Sequence, residues 1–247
     1  MSGKQMENAS YIALSRQMAL RREMDVIANN MANLNTTAYK GESMLFVEYL
    51  ETTETGEKMS FVQDISLVRN LTAGNLNSTE NPLDTAISGD GYYEIETPVG
   101  PRYTRNGSFH LNGAGELITA NGDKVLGEGG NPIALPPNSS DVTITRDGSV
   151  STDQGPAGKI RMVRFENEQA LIKMPGGLYD ADGQEALPAE GSELMQGMVE
   201  NSNVSGIIEM TKMISTVRSY SSTGRMVNEE HERQRRAIQA LGSPAKG

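Results

Sequence analysis

The 247-residue chain contains no cysteine and no tryptophan, and its aromatic residues are limited to 8 tyrosines and 4 phenylalanines. The missing cysteines exclude disulfides, iron–sulfur clusters and cysteine-ligated zinc. Two histidines, His110 and His231, leave little for a histidine metal site or an acid–base triad. With so few aromatic side chains, the core is expected to rely on Met, Leu, Ile and Val. This composition argues against most enzymes, and we predict no catalytic, cofactor or metal site.

Acidic residues outnumber basic ones by 32 to 22, which gives a net charge of −10. An acidic chain repels a phosphate backbone, so binding to nucleic acid or to an anionic membrane is not expected. No run approaches the ~18 consecutive apolar residues of a membrane span. The first ten residues also lack the hydrophobic core of a signal peptide, which by the usual rule predicts a cytosolic protein unless export uses a route that reads no such signal.

A heptad pattern runs through the N-terminal segment. Alternating steps of four and three residues connect Met6, Ser10, Ala13, Gln17, Leu20, Met24, Ile27, Met31 and Leu34. This spacing predicts a helix from about residue 10 to residue 33 with a coiled-coil seam. The short polar side chains of Asn33, Asn35, Thr36 and Thr37 compete with the helical hydrogen bonds and mark its end.

The C-terminal segment repeats the pattern. Its predicted seam consists of Met210, Met213, Val217, Tyr220, Gly224, Val227, His231, Gln234, Ile238 and Leu241. Ser205 is a candidate N-cap, and Gly242 with Pro244 is a stop signal. A long helix with a narrow apolar seam, such as the one predicted here between Ser205 and Gly242, usually pairs with another helix.

Between the two helices, short strand-like runs alternate with Gly-rich turns such as Asn106-Gly107. The runs at 92–97, 115–119, 142–145 and 160–165 indicate antiparallel β-structure, either a small barrel or a sandwich. We therefore predict an α+β fold in which the terminal helices pair as a coiled coil, forming a discontinuous inner domain with an all-β outer domain inserted. The predicted boundaries are 1–40 for the first helix, 41–80 for an extended connector, 81–197 for the β-domain and 198–247 for the last helix.

Three motifs stand out along the chain. They are Ala28–Lys40 (ANNMANLNTTAYK), the pair Leu83–Tyr93 and Arg102–Phe109 in the centre, and Glu200–Val204 (ENSNV) followed by a helix that contains Arg218-Ser219-Tyr220. These motifs resemble those of the bacterial flagellar rod, hook and hook-associated axial proteins. The motifs occur in the expected order and frame nearly the whole chain. The sequence departs from the family at Ala38, where Gly is common, and at Tyr92-Tyr93, where two Phe are common.

The resemblance implies a structural protein of the flagellar rod rather than an enzyme. Such a protein assembles with copies of itself and with other rod proteins, in the part of the basal body that crosses the periplasm. It is exported through the flagellar type III apparatus without a cleavable signal peptide and has no cofactor. The length and residues 6–17 most resemble a proximal rod subunit. The alternatives are a distal rod subunit, an unrelated coiled-coil fibre subunit and a β-domain hydrolase.

The resemblance also implies which residues function in assembly. The N-terminal interface residues are Leu20, Met24, Ile27, Asn29, Asn30, Met31, Asn33, Leu34, Asn35, Thr36, Thr37 and Tyr39. The C-terminal interface residues are Glu200, Asn201, Ser202, Asn203, Val204, Met210, Met213, Ile214, Val217, Arg218 and Tyr220. The β-domain motif residues are Ile87, Ser88, Gly89, Asp90, Gly91, Tyr92, Tyr103, Thr104, Arg105, Asn106, Gly107 and Phe109.

Overall fold

A computed structural model describes residues 3–52, 58–137, 139 and 141–242 of the chain. The chain divides into two compact units. Unit 1 is built from three separate segments, residues 1–32, 42–69 and 205–247, and unit 2 comprises residues 33–41 and 70–204. The combination of two long helices with many antiparallel strands confirms the predicted α+β class.

Unit 1 contains both helices, α1 (Gly3–Ala32) and α2 (Gly206–Gly242), and they pack against each other. α2 begins directly after the predicted N-cap residue Ser205, whose carbonyl accepts the hydrogen bond of the Glu209 amide at 3.0 Å. α1 begins earlier than the predicted residue 10. Among the side chains that the structure describes in unit 1, the fully buried apolar ones are Ala13, Ala19 and Ile27. The described side chains of unit 1 therefore form only a small apolar core for two helices of 30 and 37 residues.

The rest of unit 1 is an antiparallel hairpin of β1 (Glu42–Thr52) and β2 (Lys58–Arg69). Glu42 lies opposite Arg69 at one end of the hairpin, and α1 contacts both strands. Leu45 and Leu67 are 50% and 55% exposed. This hairpin occupies much of the segment that we predicted to be an extended connector. The polar composition of residues 48–60 gave no alternating pattern, so pairing of these strands was not foreseen; residues 53–57 lie outside the described part.

Unit 2 contains sixteen short strands in its described residues. They are β3 (Leu76–Ser78), β4 (Thr85–Ser88), β5 (Tyr92–Thr97), β6 (Gly100–Thr104), β7 (His110–Leu111), β8 (Leu117–Ile118), β9 (Lys124–Val125), β10 (Thr143–Ile144), β11 (Ser149–Thr152), β12 (Gly155–Lys159), β13 (Met162–Arg164), β14 (Ile172–Met174), β15 (Leu178–Asp180), β16 (Leu187–Pro188), β17 (Glu193–Gln196) and β18 (Met198–Glu200). β5 matches the predicted run 92–97, and β8, β10 and β13 lie inside the other three predicted runs.

The largest sheet of unit 2 has the order β14-β15-β6-β5-β9-β8-β7; β13 joins it by pairing with β5, and β16 joins it by pairing with β13. A three-stranded sheet (β10-β11-β12) and two strand pairs (β4 with β17, β3 with β18) complete the unit. All of these pairings are antiparallel, as predicted from the turn signals. Two of them close the unit between distant parts of the chain, because β17 and β18 pair with β4 and β3.

The core of unit 2 uses the scarce aromatic residues. Tyr92, Tyr103, Phe165 and Tyr179 pack edge to face with centroids 4.7–5.9 Å apart. A second cluster contains Tyr93 and Phe109 and is rich in Ile, Val and Leu. The predicted contribution of Leu, Ile and Val to the core is confirmed by this second cluster. The predicted contribution of methionine is wrong for the described side chains, because none of the methionines among them is buried, and Met162 and Met174 are only partly buried against the second cluster.

Within the described residues, neither helix is long and apolar enough to cross a membrane.

Candidate functional site: a junction network and exposed helix faces

The carboxylate of Glu200, at the end of β18, lies at the centre of a buried charge cluster in unit 2. Glu200 is 1% exposed. Its Oε1 accepts hydrogen bonds from Lys40 Nζ at 2.6 Å and from the Gly74 amide at 2.8 Å. Its Oε2 accepts one from Arg105 Nε at 2.8 Å. Lys40, Arg105 and Glu200 come from the first, second and third motif respectively, so this cluster is where the three motifs meet.

The Arg105 guanidinium connects this carboxylate to the turn between β4 and β5. Its Nη1 donates to the Gly91 carbonyl at 2.7 Å, and its Nη2 donates to the carbonyls of Ile87 at 3.1 Å and Gly89 at 2.6 Å. Gly89 has a φ of 108°, a conformation that side chains rarely adopt. The glycines of the second motif therefore shape a turn whose carbonyls surround a buried cation.

The cluster has two cations and one anion, and its electrostatics follow from that imbalance. Burial by itself raises the pKa of the Glu200 carboxyl, but the Arg105 charge and the hydrogen bonds from Lys40 and Arg105 outweigh it and hold the pKa below its usual value. Burial lowers the pKa of Lys40, and repulsion from Arg105 adds to this effect, although Glu200 opposes it. Glu200 is thus held as a carboxylate between two positive groups.

A second part of the site is the side-chain amide of Asn203, which bonds only to main-chain groups. Its Oδ1 accepts from the Gly41 amide at 2.8 Å, and its Nδ2 donates to the carbonyls of Asn70 and Thr72, each at 2.8 Å. Lys40 Nζ donates to the same Thr72 carbonyl at 2.9 Å. We call Lys40, Arg105, Glu200 and Asn203 the junction network.

In unit 1, Asn30 has a comparable role at the end of α1. Its Nδ2 donates to the Glu42 carbonyl at 2.8 Å, and its Oδ1 accepts from the Glu42 amide at 3.0 Å, so it pairs with the first residue of β1 as another strand would. Nδ2 also lies 3.0 Å from Glu209 Oε2 in the first turn of α2. Lys212 Nζ donates to the other oxygen of Glu209 at 2.6 Å. Asn30 therefore joins α1, the hairpin and α2.

The other predicted N-terminal residues divide between the two units. In α1, Ile27 is buried, Leu20, Met24 and Met31 are half-buried, and Asn29 is exposed. Leu34 follows the helix and is half-buried, like Asn33 and Thr37, whereas Asn35 and Thr36 are exposed. Thr36 Oγ1 donates to Asn33 Oδ1 at 3.0 Å in the turn after α1. Tyr39 is buried, and Lys173 Nζ lies 4.3 Å from its ring centroid.

One departure from the family pattern is Ala38, at a position where Gly is common. It is buried and has a φ of 57°, in the left-handed region that glycine adopts without strain. Its amide donates to the Glu200 carbonyl at 2.7 Å. The bond holds this conformation in place, although alanine is the less favourable residue.

Among the described side chains of α2, one row of the predicted seam is correct and the other is only partly so. The buried and half-buried positions are Gly206, Glu209, Met213, Thr216, Ser219, Tyr220, Thr223, Gly224, Val227, Glu230 and Gln234. Met213, Tyr220, Gly224, Val227 and Gln234 belong to the predicted seam, whereas the side chains of Ile238 and Leu241 lie outside the described part. Apart from Gly224, the second row is shifted by one residue, so Thr216 is buried whereas Val217 is 43% exposed. Apolarity alone could not reveal this shift, because the buried row is polar.

This shift leaves an apolar row of α2 exposed. Ile207 is 83% exposed, Met210 55%, Ile214 48% and Val217 43%. On α1, Tyr11, Leu14 and Met18 form a similar row and are 66%, 51% and 55% exposed. At 100° per residue the row on α2 lies roughly a third of a turn from the buried row of its helix, and the row on α1 lies nearly half a turn from the buried residues of its helix. We call these two sets of residues the exposed helix faces.

The residues of the β-domain motif mostly form the interior of unit 2. Ile87, Tyr92, Tyr103, Thr104 and Phe109 are buried, and Ser88 and Asp90 are exposed. The second family departure is accommodated because both tyrosine hydroxyls are bonded. Tyr92 donates to Glu168 Oε2, and the Tyr93 hydroxyl bonds Thr85 Oγ1, each at 2.9 Å. Asn106 Oδ1 accepts from the Ser108 amide at 3.1 Å.

The remaining C-terminal residues lie beside the junction network. Asn201 is exposed, and Ser202 and Val204 are half-buried, with the Val204 amide donating to Ser202 Oγ at 3.3 Å. On α2, Arg218 is exposed.

Sequence reasoning missed Lys40 and Glu209 as site residues. A usable signal existed for Lys40, because each of the three motifs contains a charged residue among mostly uncharged neighbours, and the charges are complementary. Within the described residues, no group of three or more His, Asp or Glu side chains is arranged to hold a metal ion.

Comparison with known families agrees with the three motifs. Residues 11–40 match the family described as "Flagella basal body rod protein". Residues 86–152 match the "Flagellar hook protein FlgE/F/G D1 domain", and residues 195–240 match the "Flagellar basal body rod FlgEFG protein C-terminal".

Relatives cover nearly the whole chain. The flagellar basal-body rod protein FlgF of Caulobacter vibrioides is 38% identical, over 96% of this chain and 99% of the relative. FlgF of Mesorhizobium japonicum is 34% identical over the same shares. The rod protein FlgG of Agrobacterium fabrum is 32% identical, over 90% of this chain and 94% of the relative. These relatives are structural rod proteins, which confirms the prediction of a structural protein rather than an enzyme. The chain belongs to the family of flagellar basal-body rod proteins.

Proposed function

We propose that this chain is a subunit of the proximal part of the flagellar rod, in which helices of neighbouring subunits cover its exposed helix faces. The neighbours are copies of the same chain and other rod proteins. The assignment to the proximal rod rests on the FlgF relatives, which this chain matches over 99% of their length, against 94% for the FlgG relative. Export through the flagellar type III apparatus belongs to the same proposal.

The observation that carries the proposal is the exposed apolar row of α2. Ile207, Met210, Ile214 and Val217 follow each other at steps of three, four and three residues, the spacing of a helix-packing face. Pairing of α2 with α1 leaves this row uncovered and buries polar residues such as Thr216 and Thr223 instead. An uncovered apolar face of this regularity is suited to a partner helix.

Assembly through such faces is consistent with a helical filament. Contacts between different surfaces of identical subunits repeat without closing when the rotation does not complete a ring. The faces on α1 and α2 are different surfaces, so they suit contacts of this kind. Burying them on assembly supplies apolar free energy that the small core of unit 1 lacks. We infer that the helices form their coiled-coil inner domain fully only within the rod.

Under this proposal, only some of the predicted interface residues contact neighbouring subunits. Met210, Ile214 and Val217 are assigned to contacts between subunits, whereas Asn30 and Glu200 are buried within their own units. Half-buried residues such as Met24 and Met213 serve pairing of α1 with α2 and contribute less to the contacts between subunits.

The test is a double substitution in the face, Met210→Glu with Ile214→Glu, in a motile strain that relies on this chain for its rod. We expect the purified variant to keep its Tm, since both side chains are about half exposed, while the cells lose swimming in soft agar. Ser222→Glu is the matched control, because it adds a carboxylate to an exposed position on another side of α2. Normal swimming of the double variant would refute the assignment of this face.

A further inference from the structure

We propose that Asn203 and Glu200 are positioning residues, which fix the mutual placement of three chain segments at the points where they leave unit 2. The chain passes between the units four times, after Ala32, Gly41, Arg69 and Val204. Segments 38–41, 70–75 and 200–203 lie next to three of these points. The junction network lies among these segments and bonds each of them to the others.

The side-chain amide of Asn203 connects segment 38–41 at its last residue, Gly41, with segment 70–75 at its first residue, Asn70. Gly41 is the last residue before the chain enters the hairpin of unit 1, and Asn70 is the first residue after it returns. Asn203 accepts from the first and donates to the second. The Asn70 amide also donates to the Gly41 carbonyl at 2.7 Å, so the two residues and Asn203 form a closed set of hydrogen bonds.

Glu200 joins the same segments a few residues further into unit 2. Its side chain bonds Lys40 and the Gly74 amide, and its carbonyl accepts from the Ala38 amide. The Asn203 amide nitrogen of the main chain donates to the Tyr39 carbonyl at 3.2 Å. Segments 38–41 and 70–75 are therefore held by hydrogen bonds with Asn203 and, further into unit 2, by hydrogen bonds with Glu200.

Arg105 anchors this arrangement to the largest sheet. It lies directly after β6 and bonds Glu200 on one side and three carbonyls of the second motif on the other. All partners of Asn203 and most partners of Arg105 are main-chain groups, which have no rotamers of their own. Bonds to such groups restrict the path of the backbone itself.

Fixed connections matter if the chain is a repeating subunit, and in this respect the inference rests on the proposed function. A helical assembly requires every copy to present its faces with the same geometry. Each copy has four connections between its units, and the segments of unit 2 at three of them contribute to the junction network. The network holds these three segments in place before assembly, and its hydrogen bonds do not depend on the proposed function.

The experiment measures amide hydrogen exchange in the purified full chain for Asn203→Ala, Asn203→Asp and the control Asn201→Ala. Asn201 is the same residue type two positions away, with an exposed side chain. In Asn203→Ala we expect exchange at Gly41, Asn70 and Ala38 to rise at least about tenfold, since one lost hydrogen bond can free the set. The main-chain amides of Asn70 and Ala38 donate to Gly41 and Glu200 and not to the Asn203 side chain, so faster exchange of these two amides reports loss of position.

Amides of the sheet provide the reference. The Leu117 amide donates to the Ile133 carbonyl, and the Leu126 amide donates to the Glu94 carbonyl. Both amides lie in the interior of unit 2 and should keep their exchange rates in every variant. If junction and sheet amides accelerate together, Asn203 merely stabilises the fold and the proposal is wrong. Exchange in Asn203→Ala equal to that in Asn201→Ala overturns it as well.

Asn203→Asp adds a pH signature that a purely structural role would not give. Its carboxylate keeps the acceptor for Gly41 but faces the carbonyls of Asn70 and Thr72. Protonation replaces this repulsion with a donor, so we expect protection to return as the pH falls through the pKa of the new carboxyl, after correction for intrinsic exchange. Protection that does not depend on pH in this way contradicts the assigned contacts.

A motility arm separates this inference from the proposed function. Cells that depend on the Asn203→Ala chain should spread in soft agar at half the wild-type diameter or less, with Asn201→Ala unaffected. Normal spreading with accelerated exchange overturns the role in assembly. If the wild-type chain itself does not restore swimming, the proposed function fails, and the exchange data still decide the positioning role.

Discussion

Replacing Glu200 with glutamine removes the only negative charge of the junction network and preserves the shape of the side chain. In the wild type this carboxylate faces Lys40 at 2.6 Å and Arg105 at 2.8 Å, and both cationic side chains are less than 10% exposed, at 5% and 7%. After the substitution, two buried cations remain without a counter-charge. The amide nitrogen of glutamine also meets at least one of the former donors.

The expected loss follows from this geometry. Breaking a buried ion pair by removing one partner costs about 3–5 kcal/mol, because the remaining charge is left desolvated and unpaired. A typical domain has a free energy of unfolding of about 5–15 kcal/mol, so the loss would be a large part of the total. With a urea m-value of about 2 kcal/mol/M, the midpoint should fall by roughly 1.5–2.5 M.

The assay is urea unfolding of the purified chain, followed by the near-ultraviolet circular dichroism of tyrosine. This signal reports on unit 2, because Tyr92, Tyr93, Tyr103 and Tyr179 are buried there. Glu193→Gln is the matched control. Glu193 is 57% exposed and lies 3.7 Å from Arg146, which is 79% exposed, so it should lose less than about 1 kcal/mol.

A second variant tests the charge imbalance. Lys40→Met removes one of two cations and leaves Arg105 and Glu200 as a neutral pair. It should therefore cost less than Glu200→Gln, although both remove the same 2.6 Å contact. Equal losses for Glu200→Gln and Glu193→Gln, or a greater loss for Lys40→Met, would refute the reasoning.

Three further predictions concern single positions. Ala38→Gly should raise the free energy of unfolding by about 0.5–1 kcal/mol, measured as a higher Tm, because the φ of 57° favours glycine. Gly107→Ala should lower the free energy of unfolding by at least about 3 kcal/mol. The new Cβ would lie 1.9 Å from the Thr85 carbonyl oxygen, and a backbone atom cannot move aside as the end of a flexible side chain can. Gly113→Ala, with no atom within 4 Å of its Cβ, is the control and should change little. On acidification below the ordinary glutamate pKa of 4.5, wild-type stability should fall more than that of Glu200→Gln. The folded-state pKa of Glu200 is depressed, so its contribution is present above the unfolded-state pKa and is lost as pH falls through the folded-state pKa; urea midpoints at about pH 7 and about pH 3 measure this.

Local patterns were sufficient for the elements whose burial follows their own periodicity. The seam of α1 was read correctly at Ala13 and Ile27, because apolar side chains mark the buried face. β5 was found because its bounds are set by the turns around it. The hairpin of β1 and β2 was missed because the polar composition of residues 48–60 favoured an extended connector, and because the packing of the hairpin on α1 is a tertiary contact.

The role of the motif residues was harder to foresee, because partners lie far apart in the sequence. Lys40 and Glu200 are 160 residues apart, and Arg105 and Glu200 are 95 apart. A charged residue in a motif is equally compatible with a surface contact and with a buried pair. Sequence spacing gives no measure of which residue lies opposite, so the burial of Glu200 was not foreseen, and the assembly role that the resemblance implies for it stays a prediction.

The helix periodicity, the turn signals and the three motifs of the sequence were sufficient to predict the α+β class and the family. These features depend on residues that are close together in the chain, so the sequence alone reveals them. Only the tertiary structure decided that α2 buries a polar row around Thr216 and exposes the apolar row around Ile214. It also decided that the three motifs meet at Glu200, because long-range pairing of β3 with β18 and β4 with β17 brings the two ends of unit 2 together.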